Sequence, residues 1–111
     1  MMNPVIEVIP HCEGGDGQAT FRHLKGACEM PDSCKLYAEI TVYPGSSIGW
    51  HEHHGDSEIY YVLSGTAEYN DNGEIGTVTA GDVTICPTGT GHGIANKTDE
   101  VVELVAVIVY A

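Results

Sequence analysis

The sequence predicts an all-β protein of about ten short antiparallel strands, and three observations carry that prediction. Apolar side chains alternate with others at a period of two, most clearly Leu36, Ala38, Ile40 and Val42 against Tyr37, Glu39, Thr41 and Tyr43, as a strand with two different faces requires. Gly, Asn and Asp fall between such runs, where turns need positive φ or a side chain that bonds its own backbone. No window carries an apolar period of three to four residues long enough to make a helix.

Taken in order, residues 5–9 are a short β-branched run and residues 19–23 a second strand. Between them, residues 12–18 contain Gly14, Gly15 and Gly17 and are expected to form a mobile loop, with residues 26–33 the next. Residues 35–43 make the alternating strand, and a further strand runs through His51 and His53. The polar turn His54, Gly55, Asp56, Ser57 is long enough to reverse the chain before the apolar run Ile59, Tyr60, Tyr61, Val62, Leu63. Residues 66–69 and 75–79 flank Asn70, Asp71, Asn72 and Gly73, where Asn-Gly is the strongest short-range hairpin signal. Residues 83–86, 92–95 and 101–110 complete the set, and no repeat, linker or low-complexity segment interrupts it.

Two stretches carry chemistry. Residues 45–65 read G-x5-H-x-H-x4-E-x6-G through Gly45, His51, His53, Glu58 and Gly65. Successive side chains of a strand point to opposite faces, so His51 and His53 project from one face, and the turn brings Glu58 back beside them. Residues 81–96 read G-x5-P-x-G-x2-H-x3-N through Gly81, Pro87, Gly89, His92 and Asn96, and supply a third imidazole after another tight turn. Three neutral nitrogens and one carboxylate oxygen make a mixed-donor metal site.

These paired patterns resemble the two signature motifs of the cupin superfamily, with every fixed position present and the short spacing between motifs found in small single-domain members. The likeness covers roughly the last two-thirds of the chain. It implies a double-stranded β-helix, or jelly-roll, barrel: one domain over residues 1–111, with N-terminal strands and loops in 1–34 and the barrel in 35–111. It implies that His51, His53, Glu58 and His92 bind one divalent transition metal. Manganese, iron, nickel and zinc all suit that donor set, which does not choose between them. The resemblance further implies a homodimer in which the strand at 5–9 joins the sheet of a second subunit. The chain is similar to oxalate decarboxylase-like monocupins, with two departures from the two-domain oxalate decarboxylases. Those enzymes carry an arginine three residues before the first ligand histidine, where this chain has Ile48, and one residue fewer between the second histidine and the glutamate.

Composition sets the limits on partners. Sixteen acidic residues against four basic ones give a formal net charge of -12. Phosphate contacts need clustered Lys and Arg, and Arg22, Lys25, Lys35 and Lys97 are the whole supply, which excludes nucleic-acid binding and disfavours anionic membranes. No signal peptide or membrane-spanning apolar run is present, so a cytoplasmic protein is expected. Cys12, Cys28, Cys34 and Cys86 lack zinc-knuckle spacing and are read as free thiols, with Cys86 near the pocket.

Other residues compete for roles. Tyr60 shares the face of Glu58 and is the candidate catalytic residue, as proton donor or as packing in the pocket wall. His54 faces away from His53, and His11 and His23 lie outside both motifs and are expected at the surface. Trp50 alternates away from the ligand face and is expected to fill an apolar layer between sheets or subunits. Asn96 is expected to fix a turn. Two functions lead: a metalloenzyme of lyase, decarboxylase, dioxygenase or isomerase type acting on a small carboxylate or hydroxy/keto compound, or a binding or sensing module that holds such a small molecule without turnover; a structural barrel whose metal only stabilises the fold is the third.

Overall fold

The computed structural model describes residues 4–25 and 30–110. Its strands are β1 (Val5–Pro10), β2 (Gln18–His23), β3 (Cys34–Val42), β4 (Ser47–Glu52), β5 (Asp56–Ser64), β6 (Thr66–Asp71), β7 (Glu74–Thr79), β8 (Val83–Cys86), β9 (Gly91–Ala95) and β10 (Val102–Tyr110). They form two antiparallel sheets, one in the order β1-β2-β3-β10-β5-β8 and one in the order β4-β9-β6-β7. Every strand expected from the sequence is present, but the one expected through His51 and His53 ends at Glu52 and leaves His53 in the connection to β5. Strands β6 and β7 run further toward their turn than the sequence suggests. The turn is only Asn72 and Gly73, with φ of 51° and 98°, so pairing continues to Asp71 and Glu74.

The core lies between the sheets. Strand β10 sits between β3 and β5, and its inward side chains Val102, Leu104 and Ala106 meet Val42, Ile40 and Ala38 on one side and Val62 and Tyr60 on the other. All are buried, as the period of two requires.

One irregularity positions the site. Strand β4 pairs with β9 as Ile48 with Ile94 and then His51 with His92, so Gly49 and Trp50 together oppose Gly93 alone. This β-bulge puts Ile48 and His51, three residues apart, on the same inward face. It also turns Trp50 outward. Trp50 therefore does not fill a layer between the two sheets: within the single chain it is 47% exposed and lies over the backbone of Gly91, whose missing Cβ makes room for the indole.

The glycine-rich loop before β2 is anchored instead of loose. Cys12–Gly14 form one 3-10 turn, and the loop is tied to β4 by Ser47 N–H donating to the Asp16 carbonyl and by Asp16 N–H donating to Ser47 Oγ. Gly49 lies against the Glu13 carbonyl so closely that no side chain fits there. The packing draws Cys12 inward and leaves His11 at the surface. Cys28 and residues 26–29 of the second loop lie outside the described residues.

Candidate metal centre

The four expected ligands converge. One donor atom from each of His51, His53, Glu58 and His92 lies within 4.8 Å of all the others. Strand β4 carries His51, the β4–β5 connection carries His53, β5 carries Glu58 and β9 carries His92. Glu58 Oε1 is 3.4 Å from His51 Nε2, 3.1 Å from His53 Nε2 and 2.8 Å from His92 Nε2. The Nε2 atoms of His92 and His51 are 3.0 Å apart, and those of His53 and His92 3.3 Å.

Each imidazole is held from outside by its other nitrogen. His51 Nδ1 donates to the Gly49 carbonyl at 2.8 Å, which fixes the tautomer because a carbonyl only accepts. His53 Nδ1 donates to Asp56 Oδ1 at 2.8 Å, and Asp56 Oδ2 accepts from Lys35 Nζ at 2.8 Å. His92 Nδ1 bonds the buried Tyr69 hydroxyl at 2.7 Å. In the tautomers with Nδ1 protonated, three bare Nε2 lone pairs face one carboxylate oxygen. Such lone pairs repel one another unless a cation lies between them. Metal–nitrogen bonds of about 2.1 Å set about 90° apart place donors about 3 Å from one another, close to the spacing seen. The residues therefore fit a divalent transition metal.

The electrostatics agree. Burial pushes the Glu58 carboxyl up, but in the metal-free site, when His51 and His92 turn an Nε2–H toward it, their hydrogen bonds outweigh burial and hold the group down at about 2, so it is an anion at neutral pH. Burial drives the His92 imidazole below its ordinary value and keeps it neutral. Burial acts the same way on His51, yet the Glu58 carboxylate and the Gly49 carbonyl prevail and raise it. Asp56 is lowered by its bond to Lys35 and, in second place among its partners, by His53.

His51, His53 and Glu58 open onto a cavity of about 420 Å³. Phe21, Leu36, Ile48, Tyr60 and Ile108 give it apolar walls, and Lys35, Glu13, Glu52 and His54 also line it. Tyr60 is buried and stacked on His92, with ring centroids 4.8 Å apart and planes at 22°. Its phenol is pushed far above the ordinary range by burial, then by the charge of Glu58. Ile48 fills the wall at the position where the two-domain oxalate decarboxylases carry arginine. Arg22 does not substitute for it, because its guanidinium pairs with Glu39 at 2.7 Å away from this cavity.

The remaining expectations divide. His54 pairs with Glu52 and is 71% exposed, outside the ligand set. His23 is partly covered, bonded to Glu7 at 2.9 Å and close to Phe21. Asn96 fixes its turn as expected: Nδ2 donates to the Val42 and Glu100 carbonyls, and Oδ1 accepts from Thr98. Cys86 does not line the cavity; it pairs across from Glu58 in the ladder, and its Sγ contacts Thr90 Oγ1 at 3.4 Å. Cys12 lines it instead, its thiol pushed up to about 11 by burial and then by Glu13. Cys12, Asp56, Lys35 and Tyr69 are thus the residues near the site that sequence reasoning missed. Only Asp56 has a visible signal, since it lies inside the spacing that is one residue longer than in the two-domain oxalate decarboxylases.

The comparisons bear on the same strands. The chain is 38% identical over 103 residues to the oxalate-binding protein of Thermotoga maritima, covering 93% of this chain and 85% of that one. Its fold matches the crystal structure of a predicted oxalate decarboxylase from Thermotoga maritima with a TM-score of 0.91 at 36% identity, over 99% of this chain and 94% of the other. A Cupin 2 conserved barrel domain protein from Salinispora arenicola matches with a TM-score of 0.73 at 31% identity, over 84% of this chain and 76% of that one. The family model for the cupin domain matches residues 38–108, a span that contains both motifs' ligands and the bulge that aims His51 inward. On that match, and on a two-sheet barrel that places all four donors on its inner face, the chain belongs to the cupin family.

Proposed function

We propose that this cupin holds one divalent transition metal on His51, His53, Glu58 and His92 and acts there on a small oxygen-rich acid, a carboxylate or a hydroxy or keto acid. The observation that carries the reading is the convergence of three Nε2 atoms on Glu58 Oε1 while every Nδ1 is bonded from outside. When bound, the ion supplies a Lewis acid that polarises a substrate oxygen. The chain does the rest. Holding an ion, the three imidazoles would serve as neutral donors and Glu58 as the single anion, which would leave a local charge near +1 for one anionic group. Phe21, Leu36, Ile48 and Ile108 exclude water and surround the carbon skeleton. Tyr60 is the proton-bearing side chain stacked on the ligand set and the candidate catalytic residue.

A second reading, a module that binds its ligand without turnover, is favoured by the state of the inward-facing groups. Cys12 and Tyr60 both hold their protons well above neutral pH, so neither is a ready base. The oxalate-binding name of a Thermotoga maritima relative supports it too. Elemental analysis of untagged protein, with the His51→Ala variant alongside, tests the metal. Calorimetric titration of the loaded protein with oxalate and small 2-hydroxy acids, followed by product analysis, separates the two readings. One equivalent of metal lost in the variant, with ligand bound and converted, supports the enzyme; ligand recovered unchanged supports the binding module. A wild-type chain without metal affinity would sink both.

The chain is proposed to work as a single cupin domain, as a cytoplasmic homodimer. Edge strand β1 exposes Val5 and Ile6 at 65% each and Val8 at 52%, an apolar edge that a second copy would cover.

A further inference from the structure

We propose that Asp56 and Lys35 are a positioning pair for the metal site: Asp56 fixes the His53 ring from outside, and Lys35 fixes Asp56. The inference rests on the reading that the site holds a divalent metal.

Asp56 is a buried carboxylate, and a buried charge is costly unless it is paired. Here both oxygens are used, Oδ1 by His53 Nδ1 and Oδ2 by Lys35 Nζ, each at 2.8 Å. The local chain is built to hold it there. Gly55 takes a φ of 80°, which favours glycine, and its N–H donates to Thr88 Oγ1 at 2.8 Å. His53 is itself clamped by backbone bonds to Thr90 and Gly89. These contacts occupy the β4–β5 connection and the first residue of β5, so the extra residue in the first motif lies in the segment that brings a carboxylate behind the second histidine.

Lys35 comes from a different strand. In the six-stranded sheet, β10 separates β3 from β5, and Asp56 pairs with Tyr110 at its end. The Lys35 side chain spans that end, with Nζ 5.9 Å from the Tyr110 ring centroid, to reach Asp56. An exposed ion pair alone would be worth little. This one differs because its acidic half is buried and committed to an imidazole. Of the three histidines, His53 alone has a charged partner on Nδ1; His51 has a carbonyl and His92 a phenol. A carboxylate behind an imidazole fixes its tautomer and makes Nε2 a stronger donor, and losing such a partner typically weakens metal affinity about 10–100-fold.

The test uses Co(II) binding to the full chain, read by competition against a chelator and by the visible absorption of the bound ion. Asp56→Ala is expected to weaken affinity about 10–100-fold and to shift the absorption bands. Lys35→Met should move both in the same direction by less, and Lys35→Arg should restore them. Lys35 is about half exposed, so its variants fold even if Asp56→Ala does not. Wild-type affinity and spectrum in both Asp56→Ala and Lys35→Met would overturn the pair. So would weakened binding with unchanged bands that tracks a fall in thermal stability, the mark of a merely structural role. Failure of the wild-type chain to take up Co(II) would overturn the metal reading, and this inference with it.

Discussion

His92 and His53 bring their Nε2 atoms within 3.3 Å of each other, yet the two regions that hold them are built on opposite plans. Strand β9 delivers His92 into the core, fully buried, between the stacked ring of Tyr60 and the hydroxyl of Tyr69. The β4–β5 connection delivers His53 from a turn, held by a carboxylate that an exposed lysine steadies. One ligand is set by packing, the other by charge. The difference suggests that the β9 side depends on shape and the turn side on ionisation state, so substitutions should separate fold from metal differently in the two regions.

The largest effect is expected from deleting ligands. His92→Ala should abolish metal binding and also open a cavity against Tyr60, costing the metal-free protein about 2–5 kcal/mol. His51→Ala lies at the cavity rim, with the side chain 15% exposed, and should abolish binding with a smaller loss of stability. Elemental analysis and thermal unfolding of the metal-free proteins measure the two quantities separately. Full metal stoichiometry in both variants would remove the site assignment. Equal destabilisation would remove the contrast between a packed ligand and a rim ligand.

A smaller effect concerns pH. In the metal-free protein His51 is raised and His92 lowered relative to the ordinary 6.5, so on acidification His51 should take a proton before His92. Protons and metal compete for the same Nε2 atoms, and metal affinity should fall as pH drops through the imidazole range. Stability follows the sign of each shift. The folded state binds the Glu58 proton more weakly than the unfolded chain does. Its contribution is therefore complete above 4.5 and is lost as pH falls toward about 2. The raised His51 contributes the other way, below 6.5, and that part is lost as pH rises through its folded value. Histidine titration by NMR checks the order of protonation, and a reversed order would mean that burial does not govern His92.

How much of this was legible in the sequence depends on the range of the interaction. His51, His53 and Glu58 lie close together in the chain, on the end of β4, the short connection and the start of β5, so a local spacing suffices to find them even though the connection crosses between the two sheets instead of closing a hairpin. His92 was recoverable because its motif carries its own turn residues. For Trp50, alternation gives the face opposite the ligands correctly but not what covers it, and the bulge opposite Gly93 turns the indole away from the layer between the sheets. The loop at 12–18 read as mobile because glycines signal freedom locally. Its anchoring depends on Ser47, about thirty residues away, and on the bare backbone of Gly49. Tyr69, Lys35 and Cys12 reach the site only through strand pairing and loop docking, for which a single sequence offers no spacing rule.

The smallest expected effects come from the two tyrosines around His92, and they divide packing from hydrogen bonding. Tyr69→Phe removes the hydroxyl on His92 Nδ1 and keeps the ring. It should therefore leave His92 in place, lower metal affinity several-fold and cost about 1 kcal/mol. Tyr60→Phe keeps the ring stacked on His92, centroids 4.8 Å apart, and removes a hydroxyl that bonds no ligand nitrogen but reaches the Glu58 carboxylate. If Tyr60 serves the wall by packing, metal affinity should stay at the wild-type value and stability should change by less than about 1 kcal/mol. A loss of turnover in Tyr60→Phe, with metal and ligand still bound at wild-type strength, would assign its proton to the reaction. The pair is informative because both phenols lie against one imidazole, and only the one bonded to Nδ1 should alter how tightly that imidazole holds an ion.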